Sequence, residues 1–426
     1  MRMPWLWPSL LTLLLGCYQA GRPELWRDEL WSWSFAADPV HALVANASKS
    51  NPAELAYDLI LHYWVAAFGD SVLAMRMLSV LTMAGAAACV TLAGRRLAGA
   101  RAGLLAGLVF ALLPSVSRYA QEVRFYAPVM LFVTLGTLLL LRALDAPSVR
   151  RWAAYGACLA VVGYLDLVAL SVVVGHAAGA TLCWWRDREG RRLLGFAAAA
   201  TAGLAICAPL AAASVGKSGS QVWWIRRPGL GLSALETFAR DAFLSTSVAV
   251  AVIVVGLLAW AVNRRAAAFA TAVAVLPVAT VWLLSQGPHS YFTPRYLLFT
   301  VAAAALLAGI GLSRIDVRLA AVGVLVIGVL GVGSQQAIRK PWGHANWDYA
   351  GAAGIIAHTA RSGDGIVYPR DNCYRNMIGP ALQYYLQQDK PHSAPALRDL
   401  FEATIFTGET RVSPARLPPA SRVPGR

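Results

Sequence analysis

The sequence predicts an α-helical polytopic membrane protein, and three observations carry that expectation. Of 426 residues, 58% are hydrophobic and only 14% charged, with a mean hydropathy of +0.54. Soluble globular chains are nearer half apolar and a quarter charged. The apolar residues gather into runs that approach the ~20 residues needed to cross a bilayer. Cationic residues cluster between alternate runs, as the positive-inside rule requires. The net charge of +15 is spread over these short clusters. It forms no single basic face, which argues against nucleic-acid binding.

The runs fall near 5–20, 72–93, 102–117, 126–143, 152–165, 167–185, 193–213, 246–262, 266–285, 296–312 and 317–335, about eleven spans. Only Asp166 separates the fifth from the sixth. Arg2, Arg95, Arg96, Arg101, Arg142, Arg150, Arg151, Arg186, Arg188, Arg191, Arg192, Arg264, Arg265, Arg314 and Arg318 all fall on one side of this pattern. They place the N-terminus in the cytoplasm, and an odd number of spans puts the C-terminal tail outside. The start, with "LLGC" at 14–17, also has the features of a processed signal peptide. A retained first span is the preferred reading.

The outer face then carries a first loop at 21–71, shorter connections at 118–125, 214–245 and 286–295, and a tail from 336. In the first loop, "AELAYDLILHYWVAAFG" (53–69) has apolar residues at helical spacing and suits a helix lying in the interface. Trp26, Trp31, Trp33 and Trp64 suit headgroup depth. The tail mixes helical and strand-like patterns, which predicts a small α/β extracytoplasmic domain over 336–412. A Pro-rich, disordered end is expected at 413–426. The six cysteines form no CxxC pair and read as apolar packing residues.

Three outer stretches could carry chemistry. "WRDELWSW" (26–33) holds the adjacent acids Asp28 and Glu29. Neighbouring helix positions do not face each other, so the two are not a facing acid–nucleophile pair. One could serve as a base while the other shapes its surroundings; from composition alone, a solvated acidic pair, or a pair favoured by the dipole at a helix N-terminus, is the preferred reading. "SRYAQEVRFYAP" (117–128) places Arg118, Glu122 and Arg124 beside Tyr119 and Tyr126. Arginine there can grip a lipid phosphate with its fork of donors, or simply cap span ends. "SYFTPRYLLF" (290–299) puts Arg295 at an outward span end, flanked by Tyr296, as a second phosphate ligand. His62, His289 and His344 fit no zinc spacing and read as ordinary polar residues.

Together, the "RDE" after the first span, "NP…LILHYW…FGDSVLAMRMLS", "RYAQEVRFYA" and "PRYLL" resemble the bacterial GT-C fold glycosyltransferases of family 39. These are relatives of protein O-mannosyltransferases and of the aminoarabinose and rhizobial galacturonosyl transferases. The resemblance covers roughly the first three hundred residues. It implies a GT-C transmembrane domain at 1–335 that takes a monosaccharide from a polyprenyl-phosphate donor. The sugar passes, with inversion, to an extracytoplasmic acceptor hydroxyl on an envelope glycan, glycolipid or protein. It also implies a multi-pass protein of the bacterial inner membrane. Asp28 would be the base, with Glu29 assisting. Arg124, Arg295 and Tyr296 would bind the donor phosphate. Glu122, Tyr126 and His62 would be supporting, acceptor-side or metal-binding residues. The chain reads "NPAELAY" (51–57) where the family often has "PPLYY", so acceptor contacts are expected to differ. A divalent metal (magnesium or manganese) is left unassigned, because Asp28, Glu29 and Glu122 form no DxD pair.

Three other readings compete with this one, of which a scaffold without activity explains the spans but not the acids and arginines clustered on one face. A secondary transporter would need ionisable residues near mid-membrane on matched broken helices. The spans are nearly free of charge, Arg76 and Asp166 lie near span ends, and no matched pair of Gly/Pro-broken helices stands out. A lipid-linked glycan ligase would use the same carriers without needing the first-loop acid pair.

Overall fold

The computed structural model describes residues 3–229, 231–344, 347–360, 365–366, 372–389 and 398–399. In chain order, α1 (Leu6–Cys17) leads into three helices of the first loop, α2 (Arg27–Ala37), α3 (Val40–Ser50) and α4 (Leu55–Phe68). Then follow α5 (Val72–Ala98), α6 (Ala100–Leu112), α7 (Pro114–Ala120), α8 (Tyr126–Asp145), α9 (Val149–Leu165), α10 (Val172–Asp187) and α11 (Gly190–Val215). A short α12 (Ser218–Gln221) and α13 (Leu232–Phe243) lie in the next long connection. The bundle is completed by α14 (Thr246–Leu257), α15 (Ala259–Val262), α16 (Arg264–Leu284), α17 (Thr300–Leu312) and α18 (Val317–Ala337). Beyond it lie α19 (Tyr349–Thr359) and α20 (Asn372–Asp389).

Every expected apolar run coincides with a helix, but the helices are unequal. Among the described residues, six are long and apolar enough to cross a membrane, or eight if two bent pairs each count as one span. Of the other expected spans, α1, α9 and α17 have 12, 17 and 13 residues. At 1.5 Å per residue, thirteen residues cover only about 20 Å. The chain before α17 arrives as a series of turns over 294–299 instead of extending the helix. The bends also differ from expectation. Pro114 begins α7 after a break, turning the α6–α7 pair by 65°, and α13 meets the α14–α15 segment at 99°. Proline at the first helical position supports a new helix start but not continuation of the old one.

Helix starts are capped where the sequence supplies Ser, Asn or Asp. Ser71, Ser245, Asn263 and Asp316 accept backbone N–H bonds at the starts of α5, α14, α16 and α18. The bundle centre is α17, of which eleven residues are buried. It packs against α6, α14 and α16, while α5 packs on α1, α6 and α8. Small residues allow this approach: a Cβ on Gly309 would lie 2.4 Å from the backbone nitrogen of Ala106. By contrast, α18 is peripheral, with 17% of its most apolar window buried against 72% for α8.

In the tail, the two helical patterns are present as α19 and α20, which pack on each other, and α20 also packs on α2. Gly365–Ile366 and Arg398–Asp399 form a two-residue parallel pairing. The Tyr384 hydroxyl donates to the Asp70 carbonyl at 3.0 Å, and the Tyr385 hydroxyl accepts from the Leu25 N–H at 2.8 Å. The tail thus clamps both ends of the first loop. These elements do not establish the α/β domain expected over 336–412, whose other residues, with the end at 413–426, lie outside the described residues.

Candidate active site

The first turn of α2 carries both acids, and the helix turns them apart. Successive helical residues point about 100° from each other. Asp28 faces outward along the protein surface, with its side chain 14% exposed, and Glu29 faces inward with none exposed.

Glu29 is enclosed. One carboxylate oxygen accepts from Arg76 Nε at 3.1 Å and from the Val123 N–H at 2.8 Å. The other accepts from Arg76 Nη2 at 3.0 Å and from the Trp26 N–H at 3.2 Å. His344 Nδ1 lies 3.6 Å away. Burial opposes the charged carboxylate, but Arg76 and His344 outweigh it and hold Glu29 far below the usual range. Burial together with Arg118 and Arg76 pushes the His344 imidazole well below its ordinary value, against the opposing pull of Glu29. Arg76 also donates to the carbonyls of Ala20, Pro23 and Glu24. Arg76, near the outer end of α5, therefore ties the start of α2 to the end of the first span. Glu29 is occupied in this network and presents no free oxygen to a substrate.

Asp28 is differently placed. Its Oδ2 accepts from Arg295 Nη1 at 2.8 Å and its Oδ1 from Arg27 Nε at 3.0 Å. Burial raises its pKa, yet Arg295, Arg124 and Arg27 together bring it below the ordinary carboxylate value. The Arg295 guanidinium stacks 4.5 Å from the Trp224 ring and 5.7 Å from those of Trp26 and Tyr296. Tyr296 lies 6.4 Å from Tyr126 between ring centroids. Arg295 Nε and the Tyr126 hydroxyl are buried and have no hydrogen-bond partner among the described residues. Buried donors without partners are costly, and an anion supplied by a ligand would satisfy them.

The remaining predicted residues divide. Glu122 is buried, paired with Arg118, and accepts from the Trp26 indole at 2.9 Å; burial, above all, raises its pKa. Arg124 grips Glu54 with both terminal nitrogens and donates to Ser32 Oγ at 2.8 Å. It lies against the site with both terminal nitrogens engaged, and its Nε, like that of Arg295, has no partner among the described residues. His62 stands apart: its Nδ1 pairs with the Ala36 carbonyl at 2.8 Å, at the far end of α2. Eight residues along that helix separate Asp28 from Ala36, about 12 Å. The structure therefore does not bring His62 to the acids.

Glu54, Tyr57, Asp58, Arg76, Trp224 and His344 complete the surroundings and were not singled out as site residues. A charged residue within an apolar run, as in "MRM" (75–77), was the available signal for Arg76. The acids do not suit a metal. Asp28, Glu29 and Glu122 each turn to an arginine, and no group of three His, Cys, Asp or Glu converges among the described residues.

Residues 52–212 match the model of the family described as Dolichyl-phosphate-mannose-protein mannosyltransferase. No protein of curated function matches the sequence. The chain is similar in structure to ArnT from Cupriavidus metallidurans in the apo state, with a TM-score of 0.62 and 15% identity, over 89% of this chain and 84% of that one. The same protein bound to undecaprenyl phosphate gives 0.61 and 15%, over 92% and 89%. The oligosaccharyltransferase AglB from Archaeoglobus fulgidus, in complex with an inhibitory peptide and a dolichol-phosphate, gives 0.51 and 10%, over 83% and 58%. The chain is a multi-pass membrane protein with the GT-C glycosyltransferase fold, as its loop motifs implied.

Proposed function

We propose that the protein transfers a monosaccharide from a polyprenyl-phosphate donor to an acceptor hydroxyl of an envelope glycan, glycolipid or protein, outside a bacterial inner membrane. The observation that carries this reading is the pairing of a partly exposed carboxylate, Asp28, with Arg295, whose Nε is unpartnered and which lies near the unpartnered Tyr126 hydroxyl. The undecaprenyl phosphate and dolichol-phosphate of the structurally similar proteins support a lipid-phosphate donor.

In this reaction the acceptor oxygen attacks the anomeric carbon from the face opposite the phosphate. Asp28 takes the acceptor proton as the new C–O bond forms. The bond from the anomeric carbon to the phosphate oxygen breaks, and its electron pair leaves with the polyprenyl phosphate. Arg295 and the Tyr126 hydroxyl stabilise that developing charge, and Tyr296 lines the same place. Donor binding also prepares the base. A phosphate competes with Asp28 for Arg295, and as the pair loosens, Asp28 loses the cation that depresses its pKa most and becomes a stronger base. Arg124 holds Glu54 and the start of α2 in place. Glu29 positions that turn and does not touch substrate.

The test is transfer from a polyprenyl-phosphate sugar to an envelope extract by the purified protein. Asp28→Asn should abolish labelled product. Undiminished transfer by that variant would remove Asp28 as the base.

A further inference from the structure

A second place on the molecule has the features of a binding site, away from Asp28. Between α1 and α18, with Leu112 of α6 as its floor, lies a groove of about 620 Å³. This is within the usual size range of small-molecule sites. Both flanking helices order their residues the same way. On α18 lie the apolar Leu325 and Val329, and Arg339 and Lys340 follow just past its end; on the α1 side Leu15 comes first and Arg22 follows beyond the helix. One end of the groove is thus apolar and the other cationic, and no carboxylate lines it. The cationic end is on the same side of the bundle as Asp28.

The three cations are not equivalent. Arg339 donates to the carbonyls of Leu15, Tyr18 and Gln335, so it braces the end of α1. The side chains of Arg22 and Lys340 have no partner among the described residues. Leu325 and Val329 are 64% and 61% exposed on the most peripheral span, so the apolar wall faces the acyl chains of the bilayer.

We propose that this groove binds an anionic diacyl phospholipid of the surrounding leaflet. One acyl chain lies along Leu325, Val329 and Leu15, and the phosphate sits between Arg22 and Lys340. The charge complementarity is local: two cations, unpartnered among the described residues, stand at headgroup depth above an apolar trough. Each basic residue near an anionic lipid surface is worth about five-fold in affinity, so removing both should weaken binding about 25-fold. The proposal is independent of the sugar-transfer reading, since neither residue touches Asp28 or Arg295.

The test reconstitutes the full chain in nanodiscs of phosphatidylcholine, with or without phosphatidylglycerol. Lipid retained after mild extraction is counted by native mass spectrometry, and the melting temperature is measured in parallel. The wild type should retain phosphatidylglycerol and melt higher in its presence. The doubly substituted Arg22→Gln, Lys340→Gln protein should melt as the wild type does in phosphatidylcholine alone and lose the increment. Equal retention by wild type and variant would overturn the proposal. So would recovery of the full increment with inorganic phosphate, which needs no acyl chain, or displacement of phosphatidylglycerol by polyprenyl phosphate, which would make the groove a carrier site.

Discussion

Replacing Glu29 and Asp28 in turn should separate two kinds of damage. Glu29 accepts four N–H bonds, two on each oxygen, and none of its side chain is exposed. Glutamine has the same shape but only one acceptor oxygen. Whichever way the carboxamide is turned, two N–H groups meet an NH2 group. At the same time Arg76, itself fully buried, loses its counter-charge. Breaking one side of a buried ion pair costs about 3–5 kcal/mol. That is a large part of the roughly 5–15 kcal/mol by which a domain is stable. Glu29→Gln should therefore lower the melting temperature in detergent sharply and reduce yield. Asp28→Asn keeps one acceptor oxygen and so loses one of its two bonds, with Arg295 losing its counter-charge at a site where 14% of the Asp28 side chain is exposed, and should cost about 1–3 kcal/mol, less than Glu29→Gln. Its sugar transfer should nevertheless fall by roughly 10²–10⁴-fold, the usual contribution of a general base. Scanning fluorimetry and labelled-sugar transfer on both variants decide the matter. A Glu29→Gln protein that melts like the wild type yet is inactive would refute the positioning role and return Glu29 to the chemistry.

Three further outcomes follow from other parts of the structure. Arg295→Lys keeps the charge but loses the forked donor and the stacking on Trp224, so KM for the donor should rise roughly ten-fold or more in steady-state transfer assays; an unchanged KM would remove Arg295 from donor binding. Burial pushes Asp166 from 3.8 up to about 7, despite the Val168 and Ala169 N–H groups that favour its anion. Its contribution to stability is therefore complete below about pH 3.8 and lost as pH rises to about 7, on the order of 4 kcal/mol in all; the melting temperature should fall between about pH 4 and 7 in wild type, and Asp166→Asn should flatten that fall. Gly309→Ala should lower the melting temperature because its Cβ would meet the α6 backbone at 2.4 Å, whereas Gly333→Ala, with open space around it, should be neutral or stabilising.

Much of the fold was legible because a bilayer demands long apolar runs and charge asymmetry. Where the runs were short, as at 152–165 and 296–312, composition still marked a helix but not its length. The cluster on which the proposed site rests was legible at Asp28, Tyr126, Arg295 and Tyr296, since outward-end cations and acids in one face's loops have few reasons to cluster. The division of labour between Asp28 and Glu29 was not. It depends on the rotation of α2, which is set by Arg76 reaching in from α5 and His344 from beyond α18, 47 and 315 positions away in the chain. Arg124 shows the same difficulty: its type suited a phosphate, but Glu54, seventy residues earlier, engages both of its terminal nitrogens and leaves only Nε unpartnered among the described residues.

The resting arrangement also explains why a base would be stored in an ion pair. Asp28 faces Arg295, Arg124 and Arg27, so without donor it is held as a weak base. Arg295 is held in turn by Asp28 on one side and by the Trp224 face on the other, with Nε left unsatisfied. A donor phosphate can supply what that nitrogen lacks and compete for the Nη1 that Asp28 now occupies. The same displacement that seats the leaving group would therefore uncover the carboxylate for the acceptor. An acceptor arriving first would meet a base already neutralised by arginine. On this reasoning the geometry favours donor before acceptor, and water, the commonest competing acceptor, would find Asp28 unavailable until the sugar was in place.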